Sequence, residues 1–207
     1  CPSPAPHSPT TSSGGSSPLG KEDALKSNVV VAIGGLPLSG KTTLGRRLAE
    51  VTGVHYVDID AAPAQEENPY RSDESRLRER RRMTVAYTVL HAAVEANLAQ
   101  SFPVIVSATY SRISNRTFLS DAALRGKGKL KTILCIFKDA PEEVERRVAY
   151  RLKLGAPGGC RSASHYFDDK GRYENPTAPH LVVHMDGGDE GVERAIKQAL
   201  AYINNED

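Results

Sequence analysis

The stretch GGLPLSGKTTLGRRLAE, residues 34–50, decides how the rest of this chain is read. Within it, Gly35-Leu36-Pro37-Leu38-Ser39-Gly40-Lys41-Thr42 has the spacing G-x-x-x-x-G-K-[ST]. Each fixed position has a physical job. The glycines let the backbone turn tightly and aim its N–H groups at phosphate oxygens. A helix that starts there adds its positive end. Lys41 sets a cation against β- and γ-phosphates, and the Thr42 hydroxyl is placed to ligate Mg2+. The binding loop therefore runs from Gly35 through Thr43. Its flanks supply the context. NVVVAIGG (28–35) is a β-branched apolar run ending in glycines, which predicts a buried strand. TTLGRRLAEVTG (42–53) carries Leu44, Leu48 and Val51 near helical spacing and closes on Gly53, a helix with its C-cap. A glycine-rich turn with a chance lysine is the rival reading, and the flanks count against it.

Working outward, strand-like and helix-like segments alternate. HYVDID (55–60), PVIVSAT (103–109), KTILCIFKD (131–139) and HLVVHMD (180–186) read as further strands. Helices are expected over 73–100, 115–124, 141–154 and 191–203, the third opening with Pro141 at its first position. GAPGGCRSAS (155–164) reads as a mobile loop. Five continuous apolar strands between helices predict an α/β fold, a five-stranded parallel sheet covered on both faces, with ligands at the carboxyl ends of the strands. Residues 1–27, rich in Pro, Ser and Gly, lack the apolar residues to offset ordering entropy and read as a disordered tail or linker. The predicted domain spans 28–207.

The loop and its flanks resemble the P-loop small-molecule kinases, the adenylate-kinase-like branch of P-loop NTPases. The nearest likeness is to the AAA-type group of zeta toxins, chloramphenicol phosphotransferase, gluconate kinase and polynucleotide kinase. The resemblance covers about residues 28–204. It implies the P-loop NTPase fold with a mobile lid, ATP and Mg2+ as cofactors, and phosphoryl transfer to a hydroxyl group. Asp58 and Asp60 end the second predicted strand, on one face by alternation. One carboxylate suits the metal's shell and the other a proton from the attacking hydroxyl. The resemblance implies Asp60 as base and substrate ligand and Asp58 nearer the metal, though the two roles are interchangeable on the residues alone. In the third strand the position where this group often carries Asp is Ser107, which shifts the metal's burden onto Thr42 and Asp58.

Basic residues follow the same logic. Arg78 and Arg82, in ESRLRERRRM (74–83), share a helix face and suit an anionic substrate; a solvated face laced with i,i+4 ion pairs is the other reading. Arg116 matches best an arginine that the group places against substrate or phosphate. Arg147 and Arg151, four apart, match its lid arginines, which clamp adenine and the transferring phosphate. The loop after them is expected to close and exclude water. Glu174 resembles the acidic residue after the lid, with no role assigned by spacing. The turn Asp186-Gly187-Gly188 is where the fold often seats adenine.

Composition narrows the alternatives. A net charge of +2 imposes no global field toward nucleic acid or membrane. No apolar run reaches the ~18 residues that span a bilayer. Cys1, Cys135 and Cys160 are sparse and lack metal spacing, which suits a reducing, cytoplasmic setting. Cys135 is expected to be inert and Cys160 to be exposed. Cys1 in place of Met reads as trimming, although a Cys before such a tether also begins mature lipoproteins. The expected partners are a nucleoside triphosphate and a small-molecule hydroxyl acceptor. A 5′-hydroxyl nucleic-acid end and a nucleotide-binding regulatory module without transferase activity are the rival functions.

Overall fold

The structure is a computed structural model, and it describes residues 25, 28–59, 73–155 and 160–205. Asp60 and the predicted tail lie outside the described residues, apart from Leu25, which is 8% exposed and packs into the core with Val29 rather than standing free. The elements run β1 (Val29–Gly34), α1 (Lys41–Thr52), β2 (His55–Asp58), α2 (Asp73–Ala99), β3 (Val104–Ser107), α3 (Ile113–Arg125), β4 (Lys129–Ile136), α4 (Pro141–Lys153), α5 (Ala163–Gly171), β5 (Leu181–His184) and α6 (Gly188–Asn204).

The five strands form one parallel sheet in the order β2-β3-β1-β4-β5. Every residue of β1 is buried, and alternation sends its side chains to two cores. Val29, Val31 and Ile33 pack with Leu44 and Leu48 of α1 and Ile196 and Ala199 of α6. Val30 and Ala32 pack with Leu90 and Val94 of α2 and Leu119 of α3. Helices therefore cover both faces, as the continuous apolar runs require. A smaller third cluster, Phe137, Val144, Val148, Cys160 and Tyr166, packs against Leu36 and Leu38 of the phosphate loop. The chain thus folds as an α/β P-loop NTPase. Its strand order reverses around β1, and the crevice beyond the carboxyl ends of β1 and β3 is the place such sheets offer to a ligand.

Three expectations change. The segment 155–164 is not one loop, because α5 starts at Ala163. The Ser162 hydroxyl accepts from His165 N at 3.1 Å, capping this helix, and Tyr166 buries its ring 5.6 Å from Phe137. Cys160 is 1% exposed rather than open to solvent. Strand β2 runs only from His55 to Asp58, short of the expected 55–60.

Candidate nucleotide site

The loop between β1 and α1 folds around its glycines. Gly35 and Gly40 have φ of 137° and 88°, a region that strains residues with a β-carbon. A β-carbon on Gly35 would also collide with Cys135 O. Gly40 sits at the N-cap of α1, so the first-turn N–H groups of that helix open onto the loop's concave side. Lys41 is only 6% exposed, and its Nζ donates to Leu36 O at 2.9 Å, across the loop. Leu38, at φ 67°, adopts a left-handed conformation without being glycine.

What holds Leu38 there is Arg147. Its Nη1 donates to Leu38 O at 3.0 Å, its Nη2 to Met185 O at 2.9 Å, and its Nε to Glu143 at 2.6 Å. The guanidinium lies 4.1 Å above the Phe137 ring and is 17% exposed. Glu143 also accepts two bonds from Arg146, both 2.7 Å. The bonds from Arg146, then those from Arg147, outweigh partial burial and hold the Glu143 carboxyl at about 2. Arg147 is thus anchored at each nitrogen and ties the phosphate loop to the turn after β5.

At the other lip of the loop, Thr42 Oγ1 donates to Asp58 Oδ2 at 2.8 Å. A hydroxyl and a carboxylate, both hard oxygen donors, meet there at the carboxyl edge of the sheet. This donor set fits magnesium of a bound nucleotide, which takes one or two protein oxygens and leaves the rest to phosphate and water. Among the described residues no group of three or more His, Cys, Asp or Glu forms a self-sufficient metal cage. Ser107, in register beside Asp58, is fully buried and shares a 2.7 Å hydrogen bond with the Tyr56 hydroxyl.

The described residues enclose a cleft of about 2280 Å³ that starts at Lys41, Thr42 and Thr43 and runs between α2–α3 on one side and α4–α5 on the other. Cavities for one small molecule measure ~300–1,000 Å³, so this one has room for two ligands. Arginines and lysines outnumber carboxylates along its walls.

The predicted residues distribute as follows. Pro37, Leu38, Gly40, Lys41, Thr42, Thr43, Arg82, Arg147 and Arg151 line the cleft, while Arg78 does not. Arg116 does not line it either. Its guanidinium donates to Tyr110 O and Glu174 O at 2.6 Å and to Asn175 O at 3.3 Å, bracing the segment after α5. Glu174 has a role there: its carboxylate accepts Ile113 N at the start of α3 and pairs with Arg112 at 3.0 Å. Sequence reading missed His91, which sits on the cleft wall at 7% exposure beside Tyr87, their ring centroids 5.8 Å apart. Burial, then the charge of Arg125, lowers its pKa and so favours the neutral ring. Nothing short of the packing reveals it, because a lone His in a helix carries no local signal.

Comparisons with known proteins agree with this architecture. Residues 30–156 match the model of the family AAA_33, described as AAA domain. No curated protein sequence matches the chain. Solved structures similar in fold include a gluconokinase from Sinorhizobium meliloti 1021 (20% identity, TM-score 0.56, covering 86% of this chain and 93% of that one). A sugar kinase from Janibacter sp. HTCC2649 is similar at 19% identity and TM-score 0.57, over 86% and 95%. Chaetomium thermophilum Kti12, in complex with ADP-AlF3, is similar at 19% identity and TM-score 0.58, over 85% and 100%. At these identities the likeness concerns the fold. A phosphate loop set between β1 and α1, backed by a match over more than half of the chain, makes this protein a member of the AAA-domain family of P-loop proteins.

Proposed function

We propose that this protein is an ATP-dependent kinase that transfers the γ-phosphoryl group of ATP to a hydroxyl of a small-molecule acceptor. The observation that carries this reading is the Thr42–Asp58 contact of 2.8 Å at the lip of a phosphate loop, opening on a cleft with room for two ligands. The loop N–H groups and Lys41 bind the phosphates. Thr42 and Asp58 would hold Mg2+, which supplies positive charge to the β- and γ-phosphates. Asp60 orients the acceptor hydroxyl and takes its proton. Arg151, on the cleft wall four residues after the anchored Arg147, is the arginine we assign to the charge that develops on the transferring group. Arg82 serves the acceptor side. A cytoplasmic setting goes with this reading, since that is where ATP is plentiful.

The test is incubation with γ-labelled ATP and Mg2+ against pooled sugars and sugar acids, nucleotide sugars, nucleosides, antibiotics and 5′-hydroxyl oligonucleotides. The reading expects a labelled small molecule, lost in Asp60→Asn. Label on the oligonucleotide alone, falling steeply with salt, would make the protein a polynucleotide kinase instead. Tight ATP binding without any labelled product would favour a regulatory binding module.

A further inference from the structure

Tyr56 is a residue that neither the motif nor the resemblance singles out. It lies two residues before Asp58 on β2, so the two side chains share the sheet face that packs on α1. Its hydroxyl reaches across to β3 and shares the 2.7 Å bond with Ser107. That serine is fully buried and is the register partner of Asp58. Asp58 in turn accepts from the Thr42 hydroxyl at 2.8 Å. Two bonded pairs from α1, β2 and β3 therefore lie side by side: Thr42 with Asp58, and Tyr56 with Ser107.

The helix makes room for this arrangement. Position 45, one turn after Thr42, is glycine and buried, and a β-carbon there would overlap the Tyr56 ring. A glycine inside a helix weakens it relative to alanine. Here it leaves room for the phenol ring. A phenylalanine would fill the same volume. Only the hydroxyl distinguishes Tyr56 from an ordinary packing residue, and it is bonded to the register partner of Asp58.

We propose that Tyr56 is a positioning residue for the metal site: bridged to Ser107, its hydroxyl fixes the Thr42–Asp58 pair so that a magnesium ion accompanying the nucleotide is held from β2 and α1 rather than by a carboxylate on β3. The inference rests on the nucleotide-and-metal reading of the cleft. Ser107 is then a support for Tyr56 and not a stand-in for a missing ligand. Groups that orient a metal's ligands typically contribute about 10- to 100-fold to metal affinity.

The experiment is calorimetric titration of the full chain with ADP, once in EDTA and once in saturating MgCl2. The readout is the ratio of the two affinities. Tyr56→Phe is expected to leave the EDTA affinity at its wild-type value and to cut the magnesium-dependent gain about 10-fold. Because that variant leaves the buried Ser107 hydroxyl without its phenol, the double variant Tyr56→Phe/Ser107→Ala is measured beside it. Removing both hydroxyls relieves the polar mismatch, so a merely structural role predicts a wild-type gain in the double variant. The proposal predicts that its melting temperature recovers while the gain stays low. A wild-type magnesium gain in the double variant overturns the role of Tyr56 alone. A wild-type protein that binds ADP with no magnesium gain overturns the metal reading and this proposal with it.

Discussion

Arg147 and Arg151 are alike in sequence and separate in structure. Arg147 has its three nitrogens on Glu143, Leu38 O and Met185 O and its face on Phe137, so it works as a strut. Bonds from a charged donor contribute about 1.5–3 kcal/mol each. Arg147→Ala is therefore expected to destabilise the protein by about 2 kcal/mol or more, measured by denaturant unfolding. Arg151→Ala is expected to lower kcat by about 10²–10³-fold. An Arg151→Ala variant with wild-type kcat would refute the division of labour. Glu143 provides a pH test of the same strut. Its carboxyl is held at about 2 against an ordinary 4.5, so its contribution is complete above that ordinary value and is lost as pH falls toward 2. Glu143→Gln should accordingly lose less stability than wild type between those two pH values, read from melting temperatures. The pairing of Arg147 was not legible beforehand: Leu38 lies 109 residues away and Met185 lies 38 away, distances at which sequence spacing carries no information. The phosphate loop was legible because its chemistry is contiguous.

Elements differ in the same way. Strands β1, β3 and β4 announce themselves as continuous apolar runs because both faces of the sheet are covered. Helix α5 was hidden because it is short and follows a glycine-rich stretch; what fixes it is the Ser162 cap and the Tyr166 ring, whose hydroxyl donates to Asp139 at 2.9 Å. Helix α1 carries the other constraint. Gly45 in its middle packs directly on the Tyr56 ring, so Gly45→Ala forces the ring or the helix to move. Overpacking of this kind costs about 1–3 kcal/mol. We expect that loss in unfolding experiments despite the higher helix propensity of alanine, and expect Gly45→Ala/Tyr56→Ala to unfold without the overpacking penalty. A stabilised Gly45→Ala single variant would show that the ring contact is not tight.

At the scale of the whole molecule, the sheet order β2-β3-β1-β4-β5 brings Asp58 from one strand, the loop after β1, and the turn after β5 to one edge. Helices α2–α3 and α4–α5 wall the cleft above that edge. No helix among the described residues is long and apolar enough to cross a membrane. The sequence pattern alone sufficed for the parallel sheet and for the position of the loop. The acceptor was not legible, because the surfaces that would grip it come from residues scattered over α2 and α3. In the proposed function, Lys41 and its loop carry phosphoryl transfer. The most direct measurement is the initial rate of label transfer from γ-labelled ATP by wild type and Lys41→Ala side by side, with the melting curve of each. We predict a loss of at least about 10²-fold in a variant that still melts cooperatively. A Lys41→Ala protein that transfers label at the wild-type rate would contradict the account.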